Sequence, residues 1–124
     1  MLRTLILTNF FREEAANIHI TVADAIIEKV KASGRDVKVK RDFQLVAEDF
    51  VEKDMIFSLG GDGTFLKTAS MIKDNSLPVL GVNTDPTRSV GHLCSRKVSF
   101  NDRDSDIDTM FKYIDRENFE FMYR

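Results

Sequence analysis

The chain is poor in cysteine, in net charge and in long apolar runs, and each scarcity excludes a class of protein. Cys94 is the single cysteine, so no internal disulfide can form, and a reducing compartment is the simplest expectation. The formal net charge of −2 gives no support to a basic nucleic-acid surface. No apolar stretch approaches the ~20 residues that cross a bilayer. We therefore expect a soluble chain that binds neither nucleic acid nor membrane.

The sequence also lacks the patterns of a signal peptide and of a cysteine enzyme. The opening run Met1–Leu7 is too short for the apolar region of a signal peptide, and no small-residue cleavage site follows it. We therefore expect neither a signal nor a transit peptide in this chain. A lone cysteine can act as a nucleophile, but Cys94 lacks the local signatures of cysteine enzymes, and we predict a buried structural side chain.

What the chain does contain is typical of one globular domain. Its 124 residues are 43% hydrophobic and 31% charged, which is enough for a single core and too little for a second complete domain. Apolar runs alternate with segments of helical spacing, which predicts a parallel sheet covered by helices on both faces. The predicted fold class is α/β, a three-layer, Rossmann-like arrangement. The predicted strands contain residues 5–7, 37–40, 55–59 and 79–82. One helix is predicted to end near Gly34, another is predicted over residues 64–73, and residues 45–50 are predicted as a short helix.

Details of these elements follow from side-chain spacing. The alternation of valine and lysine in residues 37–40 predicts a strand near a sheet edge. The acidic run 102–108 lacks the glycine and the terminal glutamate of a calcium-binding loop, and we interpret it as a solvated helix start. The helix 64–73 is predicted to pack through Phe65, Leu66, Ala69 and Ile72, and the last helix through Ile107, Met110, Phe111 and Ile114, with Asp102, Asp104 or Ser105 as its cap.

The most informative segment is the run from Leu59 to Leu66, which places three glycines and one carboxylate between a strand and a helix. Closely spaced glycines can turn backbone N–H groups toward a phosphate, and the helix adds its positive end. Asp62 would repel an anion, so a metal ion, a hydroxyl or a proton explains it better. The alternative is a tight turn in which Asp62 caps the helix, but that accounts for one or two glycines only. Dinucleotide-binding and Walker A patterns both fail here.

A second loop should lie beside this one. Residues 60–64 and 83–92 both follow predicted parallel strands, so both belong at the carboxyl edge of the sheet, where α/β proteins bind ligands. The Asn83 amide can donate and accept, which suits a ribose or an adenine edge. Its alternative is a turn-forming asparagine, and the same alternative applies more strongly to Asp85.

These residues resemble a known family. The run Gly60 to Thr64, GGDGT, resembles the motif of the NAD kinases, shared more loosely with diacylglycerol and sphingosine kinases and with phosphofructokinases. The loop from Gly81 to Cys94, GVNTDPTRSVGHLC, closely resembles that of the mitochondrial-type NAD kinases of animals. The resemblance covers about residues 17–94.

The resemblance implies transfer of the γ-phosphate of ATP to the 2′-hydroxyl of the adenosine ribose of NAD, with a divalent metal such as Mg²⁺, to give NADP. It implies that Asp62 is the catalytic residue and faces the accepting hydroxyl. An aspartate is a weak base at neutral pH, and phosphoryl transfer requires little help from a base, so orienting the hydroxyl or holding the metal can matter more. No set of residues is assigned as a metal centre. The residues expected to bind nucleotide are Gly60, Gly61, Gly63, Thr64, Leu66, Asn83, Asp85 and His92.

Several of these residues keep an ordinary alternative. His92 would stack on adenine or form a loop hydrogen bond, Arg88 would meet a phosphate or be solvated, and Leu66 would line the pocket or fill the core. For His19, a histidine satisfied within its helix environment is the default expectation.

The resemblance also implies a domain plan. Residues 1–117 are expected to form the nucleotide-binding α/β domain, and residues 118–124 to begin a β-rich second domain. The isolated chain should then bind nucleotide weakly and catalyse little. The implied full-length enzyme is a homodimer, mitochondrial by resemblance and otherwise cytoplasmic. The alternatives are a lipid kinase of the diacylglycerol or sphingosine type and a non-catalytic nucleotide-binding module.

Overall fold

The computed structural model describes residues 3–8, 13–41, 44–72, 77–87 and 90–115. Its five strands form one all-parallel sheet in the order β2-β1-β3-β4-β5, which confirms the predicted α/β class. The strands are β1 (Arg3–Thr8), β2 (Asp36–Arg41), β3 (Met55–Gly60), β4 (Val79–Asn83) and β5 (Arg96–Lys97), and the helices are α1 (Glu13–Ala32), α2 (Asp62–Met71) and α3 (Arg103–Asp115). Within these ranges, no helix is both long and apolar enough to cross a membrane. The predicted strand in residues 118–124 lies outside the described residues.

Both faces of the sheet carry a hydrophobic cluster, because successive strand side chains point to opposite faces. The larger cluster joins strand residues such as Ile6 and Phe57 to α1 and α3. The smaller one centres on Leu5 and Ile56, with Ile72 at the end of α2 packed against it. The sheet is therefore the middle layer of three, as predicted.

Helix α3 follows its predicted apolar face, and α1 also buries one apolar stripe. Among the described side chains, the buried apolar residues of α1 are Val22, Ala23, Ile26 and Val30, and those of α3 are Ile107, Met110 and Phe111. The side chain of Ile114, also predicted to pack, lies outside the described ones. Gly34, at φ +87°, follows the end of α1 where the sequence predicts a stop. The Asp102 carbonyl accepts the Asp106 N–H at the start of α3, so Asp102 holds the cap position, and Asp104 and Ser105 lie inside the helix.

Helix α2 does not pack as predicted. Its buried residues are Thr64 and Thr68, whereas Ala69 is exposed and Leu66 is 57% exposed. Thr64 packs against Gly60, and the Phe65 ring packs over Gly81, where an added Cβ would lie 2.7 Å from the Phe65 Cδ2. Thr68 meets its own hydrogen-bonding need by donating its hydroxyl to the Thr64 carbonyl at 2.8 Å. The predicted face is therefore wrong for Leu66 and Ala69, whereas Phe65 and Ile72 are half-buried and Ile72 packs against the smaller cluster.

Strand β2 lies at the sheet edge, as its lysines predicted. The predicted short helix over 45–50 is a 3₁₀ turn, Ala47–Phe50, and its Asp49 is only 2% exposed. The Lys38 Nζ lies 2.9 Å and the Lys40 Nζ 3.7 Å from Asp49 Oδ1, and the Val46 N–H donates to Asp49 Oδ2. Although burial acts to raise it, the Val46 N–H and the two lysines hold the pKa of Asp49 below its ordinary 3.8. This carboxylate therefore fastens the turn to the edge strand.

We predict that Asp49→Asn lowers the free energy of unfolding by about 1–3 kcal/mol, because the amide replaces a buried charged acceptor. The native contribution should be present above pH 3.8 and lost as the pH falls through the lowered pKa. Urea unfolding measures both effects. Exposed Glu48 gives the matched control, Glu48→Gln, expected within about 0.5 kcal/mol of the parent. Equal stability of the two variants would contradict this role of Asp49.

Candidate functional site

The glycine turn joins β3 to α2 directly. Gly60 ends the strand, Gly61 is the N-cap of α2 and Asp62 is its first residue. Gly60 has φ +157°, and a Cβ there would lie 2.5 Å from the Thr64 Oγ1. Only glycine therefore allows the turn to approach the helix so closely. No side chain caps α2, so the alternative that Asp62 serves as the cap is not what the structure shows.

Asp62 instead connects the two predicted loops. Its Oδ1 accepts the backbone N–H of Leu93 at 2.9 Å, from 31 residues away in the chain.

Burial and the nearby Asp62 charge raise the pKa of the Cys94 thiol to about 11. That thiol is therefore protonated at neutral pH, which disfavours a nucleophilic role. Cys94 is half-buried, less enclosed than predicted.

The second loop starts on the neighbouring strand, at the same edge of the sheet. Asn83 pairs with Gly60 in the β3–β4 register, and the Thr84 N–H donates to the Gly60 carbonyl at 3.3 Å. The prediction that both loops share one rim is therefore confirmed.

Asn83 and Asp85 are engaged within that loop. The Asn83 Oδ1 accepts the Asp85 N–H at 3.0 Å, as the turn-forming alternative predicts, and a Cβ on Gly91 would lie 2.6 Å from the Asn83 Nδ2. The Thr87 hydroxyl donates to Asp85 Oδ1 at 2.6 Å. These contacts order the loop, and a nucleotide role for either residue stays a prediction.

The other predicted ligands differ in how much they face solvent. Thr64 is fully buried, and its hydroxyl oxygen lies against Gly60. His92 is exposed, as are the apolar side chains of Leu66 and Leu93, so the alternative that Leu66 fills the core is wrong. Gly63 is also exposed, and a Cβ added to it would meet no atom within 4 Å. Arg88 lies outside the described residues.

Cavities lie against α3 and against α1. One, of about 390 Å³, lies against α3 and includes Asn83, Cys94 and Lys97 in its wall. The other, of about 240 Å³, lies against α1 and includes Thr8 and His19. The sheet order places β4 and β1 on opposite sides of β3, so the two cavities lie at different parts of the sheet, and neither has a described residue of the glycine turn in its wall.

The sequence did not predict the hydrogen-bond partner of His19. It lies on α1, and its Nδ1 is hydrogen bonded to the Thr84 hydroxyl at 2.7 Å, across 65 residues of chain. The default expectation of a satisfied histidine is confirmed. Burial lowers the pKa of His19 from its ordinary 6.5, and the charges of Asp24 and Asp85 oppose that effect.

Comparison with known proteins decides the family. Residues 2–112 match the sequence model of the ATP-NAD kinase N-terminal domain. The chain belongs to this family. It is 44% identical over 78 residues to the NAD kinase 2, mitochondrial, of Xenopus tropicalis, which covers 63% of this chain and 18% of that protein. For the Homo sapiens NAD kinase 2, mitochondrial, the identity is 40% over 81 residues, or 65% of this chain and 18% of that protein.

A more distant relative is similar over the same domain. The NAD kinase of Methanothermobacter thermautotrophicus is 34% identical over 88 residues, which covers 67% of this chain and 31% of that protein. The chain thus spans less than a third of the length of each of these relatives. The family match confirms the resemblance to NAD kinases and separates the chain from the lipid kinases.

We predict that stability falls as the pH is lowered from 6.5, because the unfolded chain then binds a proton on His19 that the fold resists. His19→Gln should remove this part of the pH dependence in urea unfolding. The chain has two histidines, so His92→Gln is the matched control and should keep the dependence. An unchanged pH profile in His19→Gln would contradict the assignment.

Proposed function

We propose that the protein that carries this chain transfers the γ-phosphate of ATP to the 2′-hydroxyl of the adenosine ribose of NAD, giving NADP. In this proposal, residues 1–117 supply the glycine-turn half of the active site. Membership of the ATP-NAD kinase family supports the reaction class. The short share of the relatives' length that the chain covers supports a site completed by other residues.

The observation that carries the proposal is Gly63. Glycine in a helix costs about 1 kcal/mol relative to alanine, and at this position the fold gains nothing from it, since a Cβ would meet open space. A ligand that approaches the backbone closely accounts for it. The N–H groups of Gly61, Asp62, Gly63 and Thr64 lie in the first turn of α2, where helical N–H groups have no intrahelical partner. These groups would hold the phosphates, and Thr64 would contribute its N–H rather than its hydroxyl.

Asp62 is proposed to orient the accepting hydroxyl. Its Oδ1 is held by the Leu93 N–H, and its second oxygen is the atom that would accept a hydrogen bond from the ribose hydroxyl. The alternative role of this carboxylate is to hold Mg²⁺, which is commonly bound through one or two carboxylates together with substrate phosphates. The bound ion would neutralise charge on the transferred phosphoryl group.

The remaining ligands are proposed on the Asn83 side of the turn. Asn83, Asp85 and His92 would contact the adenosine part of NAD, and exposed Leu66 would give the nucleotide an apolar surface. We also propose that the complete enzyme is a mitochondrial homodimer, because relatives at 40–44% identity are named mitochondrial and the family resemblance implies a dimer. Sedimentation and cell fractionation test these two points.

We predict that Gly63→Ala raises the free energy of unfolding by about 0.5–1 kcal/mol and weakens nucleotide binding about tenfold or more. The added methyl would occupy the space that the phosphate needs. Urea unfolding and titration calorimetry with ATP measure the two effects. Gly60→Ala is the contrasting variant and should destabilise the fold, because its Cβ would lie 2.5 Å from Thr64. If Gly63→Ala binds ATP as tightly as the parent, the phosphate site lies elsewhere.

We predict that the longest gene product containing this chain forms NADP from ATP, Mg²⁺ and NAD, and that Asp62→Asn lowers turnover about a hundredfold or more. A coupled NADP assay measures both. Asp108→Asn, on the exposed face of α3, is the matched control for loss of one carboxylate. Folded parent protein that forms no NADP would overturn the function, and near-normal turnover in Asp62→Asn would overturn its catalytic role.

A further inference from the structure

His19 occupies a position where an apolar side chain would be expected. It lies three and four residues before Val22 and Ala23, on the stripe by which α1 enters the core. It is only 4% exposed. Burying an imidazole is unfavourable unless it is hydrogen bonded, so the contact that it makes explains why a polar ring stands there.

Thr84 connects His19 to the glycine turn by two hydrogen bonds. Thr84 is 2% exposed; its hydroxyl is bonded to His19 Nδ1 at 2.7 Å, and its N–H donates to the Gly60 carbonyl at 3.3 Å. Thr84 therefore couples helix α1 to the turn that precedes Asp62. A hydrogen bond fixes direction as well as distance, which packing of two apolar groups does not.

The loop that begins at Thr84 is fastened again at its other end. The Leu93 N–H donates to Asp62 Oδ1 at 2.9 Å, so the direction of that carboxylate depends on where the loop holds Leu93. His19 and Thr84 fix the start of the loop, and Asp62 meets its end. A loosened start would allow Leu93 to move, and the carboxylate with it.

We propose that His19 is a positioning residue, which acts through Thr84 on the described parts of this loop, residues 84–87 and 90–93, so that Asp62 faces the accepting hydroxyl. This role rests on the proposed function for its catalytic consequence. Its structural consequence, the order of the Thr84 and Leu93 amides, is independent of that function.

The test compares variants of Thr84 and His19 in the longest gene product containing the chain. Thr84→Val keeps the shape and removes the hydroxyl, and Thr84→Ser keeps the hydroxyl. The double variant His19→Leu with Thr84→Val replaces both partners by apolar groups, a change that can leave stability nearly unaltered. His19→Asn retains a polar atom near the place of Nδ1. Thr21→Val is the control, since Thr21 donates only to Asn17 within α1.

We expect hydrogen exchange at the Thr84 and Leu93 amides to accelerate about tenfold in Thr84→Val and in the double variant, while Phe57 in β3 is unchanged. NADP turnover should fall about tenfold, with a smaller change in KM for NAD. Thr84→Ser, His19→Asn and Thr21→Val should stay within about threefold of the parent in both measurements.

Two results would overturn the proposal. One is parental exchange at both amides in Thr84→Val and in the double variant. The other is turnover that follows the urea midpoint across all variants, which a purely structural role predicts. If the parent forms no NADP, the proposed function fails and the exchange measurement still decides whether His19 holds the loop. If the double variant does not fold, Thr84→Val against Thr84→Ser decides the same question.

Discussion

The pairing of β3 with β4 where both strands end is the constraint on which the rest of the site depends. Gly60 and Asn83 are partners in this register, and the Thr84 N–H continues the pairing one residue further, to the Gly60 carbonyl. Because the strands are parallel, both chains leave the sheet at the same edge and in the same direction. The carboxylate of Asp62 and the loop that holds it are therefore brought together by backbone hydrogen bonds.

The sheet order explains why helices on opposite faces both contribute to this edge. Strand β1 lies between β2 and β3, so the connection after β1 leads to α1 on one face and the connection after β3 leads to α2 on the other. Such a reversal opens a crevice at the carboxyl edge, where α/β sheets bind ligands. His19 reaches this crevice from α1 and Asp62 from α2, and the loop after β4 contacts both.

The sequence predicted four of the five described strands, missing the two-residue β5, and it predicted the side-chain contacts poorly, for physical reasons that differ by residue. Apolar runs located β1, β3 and β4, and alternating lysines placed β2 at an edge. The face of α2 was predicted only in part, because threonine is not counted as a core residue and yet Thr64 and Thr68 are the buried residues of this helix. Periodicity describes an element alone and carries no information on the partner that packs against it.

In the candidate site, too, the placement of the backbone was predicted and the side-chain contacts were not. The rule for parallel strands was sufficient to place both loops on one rim. It could not pair Asp62 with Leu93 or His19 with Thr84, which are 31 and 65 residues apart, because such pairs depend on loop conformations that spacing does not encode. Nor could it show that the Asn83 side chain is already bonded to its own turn.

Two glycines in one turn show what the structure adds to a motif. At Gly60 a side chain would collide with Thr64, so the fold itself requires glycine. At Gly63 a side chain would meet open space, so the fold does not require it, and the residue weakens the helix that contains it. In sequence the two positions are indistinguishable. Packing therefore gives no reason for glycine at this position, whereas the proposed phosphate contact does, because the first turn of a helix has N–H groups without intrahelical partners.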